Sequence, residues 1–158
     1  MLTLQPITAA AFQSWQQQAI KAYAQDKVTA GTWPAATALT QAQAEYQRLL
    51  PAGRETTDEL IWTIYHEQQA VGTLWVHWDQ TAQSFFIYDI IIQPEFQNQG
   101  FGQATLQALN QVAAKKQVQR ISLHVFASNQ RAYYVYQKMG FVPTDISMTK
   151  YIKPASAD

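Results

Sequence analysis

Apolar and polar residues alternate along Leu2-Thr3-Leu4-Gln5-Pro6-Ile7, the period-two signature of a strand with one buried face. Pro6 suits an edge or a strand end. The period then changes. Thr8 is placed to cap a helix, and Phe12, Trp15, Ile20 and Tyr23 recur at roughly helical spacing, which predicts an amphipathic helix over about 9–26. Gly31-Thr32-Trp33-Pro34 breaks it, and a second helix over about 40–50 stops at Pro51-Ala52-Gly53.

Three strand-like stretches follow at 59–66, 71–78 and 83–92. Glu67-Gln68-Gln69 between the first two suits a hairpin. The third ends in Ile90-Ile91-Ile92, a run that fits a strand covered on both faces. A helix over 101–116 carries the apolar stripe Leu106, Leu109, Val112 and Ala113, and 120–126 reads as another strand. Asn129 is a cap for a helix reaching about 139, with Gly140 placed to end it. Phe141-Val142 and the stretch 146–152 are expected to form a closing strand pair, and 154–158 to fray. This order predicts an α/β (α+β) fold: one domain over 1–158, with a mixed sheet between helices on both faces.

Composition narrows the function. A length of 158 residues fits one domain, and 47% apolar content supplies its core. Charged residues make up 14% and cancel to zero, so the chain lacks the basic excess that non-specific nucleic-acid binding requires. There is no cysteine, which excludes disulfides, thiolate metal sites and a cysteine nucleophile. No basic-then-apolar leader opens the chain, and no window offers the roughly 20 apolar residues that span a bilayer. A cytoplasmic protein without membrane or nucleic-acid partners is expected.

The candidate chemistry begins at Gln97-Asn98-Gln99-Gly100-Phe101-Gly102, where the backbone must leave a strand, turn and start a helix. Glycine permits positive φ and close approach to a ligand. Successive amides here can point into one concavity, reinforced by the helix dipole, and so hold a pyrophosphate. A dinucleotide fingerprint would place a third glycine where Thr105 stands, and a Walker loop would follow Gly102 with Lys-Ser/Thr rather than Gln103-Ala104. Neither nucleotide pattern is present.

The segment from Ile90 through Gln93-Pro94-Glu95-Phe96 to Gly102 resembles the acetyl-CoA-binding motif of the GNAT N-acetyltransferases. A second segment, Asn129-Gln130-Arg131-Ala132-Tyr133-Tyr134-Val135-Tyr136-Gln137-Lys138-Met139-Gly140-Phe141, is similar to the family's Asn-x-x-Ala-x-x-x-Tyr-x-x-x-Gly-Phe. The resemblance implies a mostly antiparallel mixed sheet of about six to seven strands. It implies direct attack of an amine on acetyl-CoA in a ternary complex, with no metal; the alternative is a non-catalytic acyl-CoA-binding or regulatory module. The main chain of Ile90, Ile91 and Ile92 would pair with the pantetheine arm. The amides of Gln97, Asn98, Gln99, Gly100, Phe101 and Gly102 would hold the pyrophosphate. Asn129 would contact pantetheine or an ordered water, and Tyr136 would lie near the sulfur. Many members carry cations where Gln97 and Gln99 stand, so this chain must rely more on backbone dipoles.

Acyl transfer to an amine must remove a proton from an ammonium of pKa about 10.4, stabilise an oxyanion and accommodate a departing thiolate. A main-chain amide near Ile91 or Ile92 is the oxyanion candidate. The phenol of Tyr136 is the candidate acid. His124, on one strand face with Ser122 and Phe126, is a candidate base, as are Asp89, lone among apolar residues, and a chain of waters. The resemblance places the glutamate base of the ribosomal-protein branch at His124, and that of the histone branch at Phe86, where it is absent. Trp33 and Tyr46, in the region that forms an acceptor wall in the family, are further candidates. The acceptor is an amine on a small molecule or a protein, and the aromatic edge strands could support a homodimer.

Overall fold

The computed structural model describes residues 1–154; the rest of the tail expected to fray, 155–158, lies outside the described residues. The chain runs β1 (Leu2–Pro6), α1 (Ala9–Thr29), α2 (Ala38–Leu49), β2 (Glu59–His66), β3 (Gln69–Asp79), β4 (Ser84–Ile92), α3 (Phe101–Lys115), β5 (Arg120–Leu123) and α4 (Gln130–Lys138). Short 3-10 turns occupy Gly53–Glu55 and Pro94–Phe96. Thr8 caps α1 as its chemistry requires, accepting the Ala11 amide at 3.2 Å. Glu67, at φ 57°, turns the β2–β3 hairpin, in which His66 faces Gln69.

The strand order is β1-β2-β3-β4-β5. The first four strands are antiparallel neighbours; β5 joins β4 in parallel, which requires the crossover that α3 supplies. Alternation along β3 separates two cores. Leu74 and Val76 pack with Leu106, Leu109 and Ala113 of α3, while Trp75 packs with Phe12, Trp15 and Tyr46 beneath α1 and α2. The small Ala24, Ala38 and Ala42 form a third cluster on α1 and α2. No described helix is long and apolar enough to cross a membrane.

Two expectations fail at the C-terminal end. The strand expected over 120–126 stops at Leu123, the last residue paired with β4. The closing pair at 141–142 and 146–152 does not form, so the described sheet has five strands rather than six or seven. Alternating apolar residues show that a segment can be a strand, but a strand also needs a neighbour. Here none is present, and Ile146, Met148 and Ile152 stand exposed.

Candidate active site

The site begins where two strands part. β4 and β5 pair only from Ser84↔Arg120 to Ile87↔Leu123, while β4 continues to Ile92 with no neighbour on that side. Gln93 donates its amide to the Val71 carbonyl at 2.9 Å. Alternation from that bond turns the Ile91 main chain toward β3 and the Ile90 and Ile92 amides toward the open edge. The side chain of Ile91 also packs against the α1/α2 core. Of the two oxyanion candidates, only the Ile92 amide therefore faces the opening. A bulge between Trp75 and Val76 leaves Tyr88 without a partner and sets the phase of Asp89 to Ile92. Gly72 is required beside this stretch, because a β-carbon there would strike the Ile91 carbonyl.

The loop after β4 folds as an anion cradle. Asn98 and Gly100 have φ of 64° and 83°, so both lie in the left-handed region. Gly100 meets this requirement without strain and serves as N-cap of α3. Among the described residues, the amides of Asn98, Gln99 and Gly100 have no protein acceptor. The first α3 amide to bond back across this turn is that of Ala104, to the Gly100 carbonyl at 3.0 Å. The helix start thus presents free donors and its positive dipole end. The glutamines do other work: Gln97 Nε2 donates to the Ile92 carbonyl and Gln99 Nε2 to the Glu95 carbonyl, each at 3.0 Å. They hold the loop's shape rather than present their amides to a ligand. Thr105, where a dinucleotide fingerprint would have glycine, is fully buried and donates to the Phe101 carbonyl at 2.7 Å.

A cleft of about 670 Å³ joins this loop to α4. Ile90, Ile92, Gln97, Asn98, Gly100, Phe101 and Gly102 line one wall, and Asn129, Arg131, Tyr134 and Tyr136 the other. Asp89, Ile91, Gln99 and His124, all expected at the site, do not line it. Asn129 does, while its side chain also caps α4 by accepting the Ala132 amide at 3.2 Å. Sequence reasoning missed Arg131. Its signal was only its place in the first turn of a helix opened by a motif asparagine, yet it brings a cation to a cleft whose loop has none.

Tyr136 on α4 and Asp89 on β4 lie within electrostatic reach of one another. Burial, with a smaller contribution from the Asp89 charge, pushes the Tyr136 phenol up to about 12. Burial and the nearby Asp26 raise the Asp89 carboxyl to about 7, partly opposed by a hydrogen bond from the Ile90 amide. Neither Asp26 nor Asp89 has a cationic partner among the described ion pairs. Next to them stands an aromatic wall. Tyr23 lies 5.4 Å from Trp33 and 5.9 Å from Tyr46, and Trp75 stacks on Tyr88 at 4.5 Å. The Lys27 ammonium sits over Tyr23 and Trp33, 5.6 and 5.2 Å from their centroids. Tyr46 is a core residue, only 5% exposed, its hydroxyl raised by burial. Trp75 is fixed from below by Glu59, which accepts its indole N–H at 2.9 Å and meets His77 Nδ1 at 3.0 Å.

His124 does not share a strand face with Ser122. It lies past the end of β5, exposed, with its ring 5.1 Å from that of Phe126. No three potential metal ligands of the His, Asp and Glu type cluster among the described residues.

Comparison with known proteins identifies the family. The model of the acetyltransferase (GNAT) family matches residues 18–141. YdgE of Bacillus subtilis, described as an uncharacterized N-acetyltransferase, is 32% identical over 95% of this chain and 98% of its own. YycN of the same organism, described likewise, is 36% identical over 94% and 97%. The crystal structure of YycN superposes with a TM-score of 0.94, covering 98% of this chain and 100% of that one. The PaiA N-acetyltransferase of Thermoplasma acidophilum, solved with coenzyme A, shares the fold at a TM-score of 0.70 and 15% identity, with 93% of each chain covered. The chain belongs to the acetyltransferase (GNAT) family and is an acetyl-CoA-dependent N-acetyltransferase.

Proposed function

We propose that this enzyme acetylates a cationic primary amine that enters between α1, α2 and β4, by direct attack on acetyl-CoA in a ternary complex. The observation that carries this reading is that buried Asp89, just past the point where β4 loses its neighbour, lies within electrostatic reach of Tyr136 in the cleft. Pantetheine adds to the open edge of β4 through the Ile90 carbonyl, since Gln97 already occupies that of Ile92. The diphosphate rests on the free amides from Asn98 to Gly102, and Arg131 supplies the cation from the facing helix.

Asp89 is the base. A carboxylate that titrates near 7 is matched to taking a proton at neutral pH. The ammonium gives its proton to Asp89, and its freed lone pair attacks the thioester carbon. The Ile92 amide holds the oxyanion. Collapse breaks the carbon–sulfur bond, the second proton of the attacking nitrogen passes to the departing thiolate through water, and Tyr136 donates a hydrogen bond to that sulfur. A phenol near 12 stays protonated throughout, but full transfer to a thiolate whose conjugate acid lies near 8.5 runs uphill. Tyr136 therefore stabilises the leaving group more than it neutralises it. His124, exposed on a segment outside the sheet, is the less supported base.

Two uncompensated carboxylates, Asp26 and Asp89, beside rings that already hold the chain's own ammonium, favour a cationic acceptor. Among structural neighbours, one from Vibrio cholerae is a spermidine N-acetyltransferase and one from Escherichia coli acts on ribosomal protein S18 alanine, so both small and protein amines occur on this fold. The test is coenzyme A thiol release from acetyl-CoA across amines with and without a neighbouring carboxylate. Preferred turnover of diamines supports the reading. Preference for amino acids would overturn the acceptor class. Calorimetric binding of acetyl-CoA with no turnover on any amine would instead indicate a binding module.

A further inference from the structure

Ile87 and Ile90 of β4 both pack with the α3 core, whereas Ile91 packs beneath α1 and α2. Regular alternation would put Ile87 and Ile90 on opposite faces of the sheet. The bulge resolves this, because Tyr88 and Asp89, though consecutive, both belong to the α1/α2 face. Asp89 is the register partner of Trp75, and Tyr88 stacks on the same indole at 4.5 Å with 29° between the rings. The proposed base and its neighbouring ring therefore share one face of the sheet. Tyr88 does not line the coenzyme cleft.

Tyr88 is 38% exposed, although it stacks on Trp75 and meets the rings of Phe86 at 5.0 Å and His77 at 6.4 Å. Tyr23 of α1 and the Glu45–Arg48 ion pair of α2 stand within electrostatic reach of it. Arg48 is bound to Glu45, so this rim offers an aromatic ring and a neutralised pair. The support beneath is of another kind. The Glu59 side chain is only 6% exposed; it accepts the Trp75 indole N–H at 2.9 Å and meets His77 Nδ1 at 3.0 Å. A buried carboxylate is costly, and an apolar residue would serve if Trp75 only had to be packed. Glu59 instead fixes the rotation of the indole, and with it the plane on which Tyr88 lies.

We infer that Tyr88 is a specificity-determining residue of the acceptor site, its exposed ring taking the alkyl-ammonium chain that trails the reacting nitrogen, and that Glu59 is a positioning residue that sets this ring through Trp75. The inference rests on the reading of a cationic acceptor that enters between α1, α2 and β4. Consecutive Cα atoms lie about 3.8 Å apart, so an amine presented to Asp89 brings its own carbon chain over the neighbouring ring. A phenol face attracts both methylene groups and a cation, and it needs no ion pair to do so. That suits a rim whose carboxylate, Glu45, is already taken by Arg48.

Steady-state kinetics with an alkyl diamine and a monoamine of equal length test both roles. Tyr88→Ala should raise the KM for the diamine about tenfold, the scale of one partly desolvated cation–ring contact, and that for the monoamine less. The KM for acetyl-CoA should stay within about twofold. Tyr88→Phe keeps the ring and should restore the diamine KM. Glu59→Leu should raise the diamine KM and displace the Trp75 indole N–H resonance in nitrogen-15 NMR. Glu59→Gln, whose amide oxygen still accepts that N–H, should keep both near the natural values. Trp75→Phe removes the donor but keeps a ring in the core, so it should reproduce the kinetic effect even where leucine at 59 unfolds the chain. An unchanged diamine KM in Tyr88→Ala overturns the subsite, and an unchanged one in Trp75→Phe overturns the role of Glu59. A natural chain that prefers amino acids overturns the cationic reading separately; the ring contact then stands only if Tyr88→Ala raises the KM of that preferred amine. Turnover of no amine at all overturns both.

Discussion

The Tyr136 phenol lies within electrostatic reach of the Asp89 carboxylate, although one belongs to α4 and the other to the bulged half of β4. The Asp89 charge raises the Tyr136 phenol further, whereas the phenol is still neutral when the carboxyl titrates. Two groups with well-separated titrations therefore lie near one another, although Tyr136 lines the cleft and Asp89 does not.

Tyr136→Phe should lower kcat by about 100-fold, the lower end for loss of an acid, because proton transfer from this phenol is uphill. The KM for acetyl-CoA should stay within about twofold, since the ring and its packing on Phe141, 5.7 Å away, are kept. Steady-state kinetics at saturating amine read both values, and an unchanged kcat removes Tyr136 from the mechanism.

The pH profile of kcat/KM should rise through an apparent pKa near 7 as Asp89 loses its proton. Asp89→Asn should remove that acid limb. Asp26→Asn should move it to lower pH, because one of the two causes that raise Asp89 is gone. His124→Ala should keep the limb; its loss in that variant would transfer the base role to His124.

Stability should carry the same signature with a definite sign. Between the ordinary carboxylate value of 3.8 and about 7, the folded chain retains the Asp89 proton and the unfolded chain does not. Raising pH through this window therefore favours unfolding, and the difference becomes constant above it. Thermal melting of the natural chain should fall across this interval relative to Asp89→Asn. A parallel pH dependence in the two proteins would count against a raised carboxyl.

Arg131→Ala should raise the KM for acetyl-CoA about tenfold, the scale of one charge-assisted hydrogen bond, with kcat unchanged. The salt dependence of that KM should weaken at the same time, because an ionic contact has gone. Equal salt dependence in both proteins would mean that Arg131 lines the cleft without touching phosphate.

Two neighbouring glycines should separate fold from ligand. Gly100 sits at φ 83° with open space beyond it, so Gly100→Ala should cost about 1 kcal/mol of stability through backbone strain. Gly102 has no such φ and opens onto the cleft, so Gly102→Ala should leave stability unchanged and raise the KM for acetyl-CoA roughly tenfold. Denaturant unfolding and coenzyme titration of both variants check the contrast.

Much of this was legible along the chain. Thr8, Asn129 and Gly100 act within four residues of themselves, so their capping roles follow from local chemistry. The apolar stripe of α3 and the alternation of β3 name their buried faces in the same way. The last expected strands failed for a reason no local pattern contains, namely that a strand is completed by its neighbour. The sequence shows Gln97 and Gln99 only as places where cations are missing; the structure shows their side-chain amides bonded to the carbonyls of Ile92 and Glu95.

The sequence by itself determined the order of elements, the left-handed turn that needs Gly100, and the two motifs that mark a coenzyme A site. These rest on interactions a few residues long, which composition and period record directly. Only the tertiary structure decided that Ile90 and Ile92, rather than Ile91, face the open edge, that Arg131 joins the cleft, and that Asp89 lies within electrostatic reach of Tyr136. Each depends on the bulge in β4, on where β5 ceases to pair and on how α4 packs, and these are properties of segments distant in the chain brought together by a shared core.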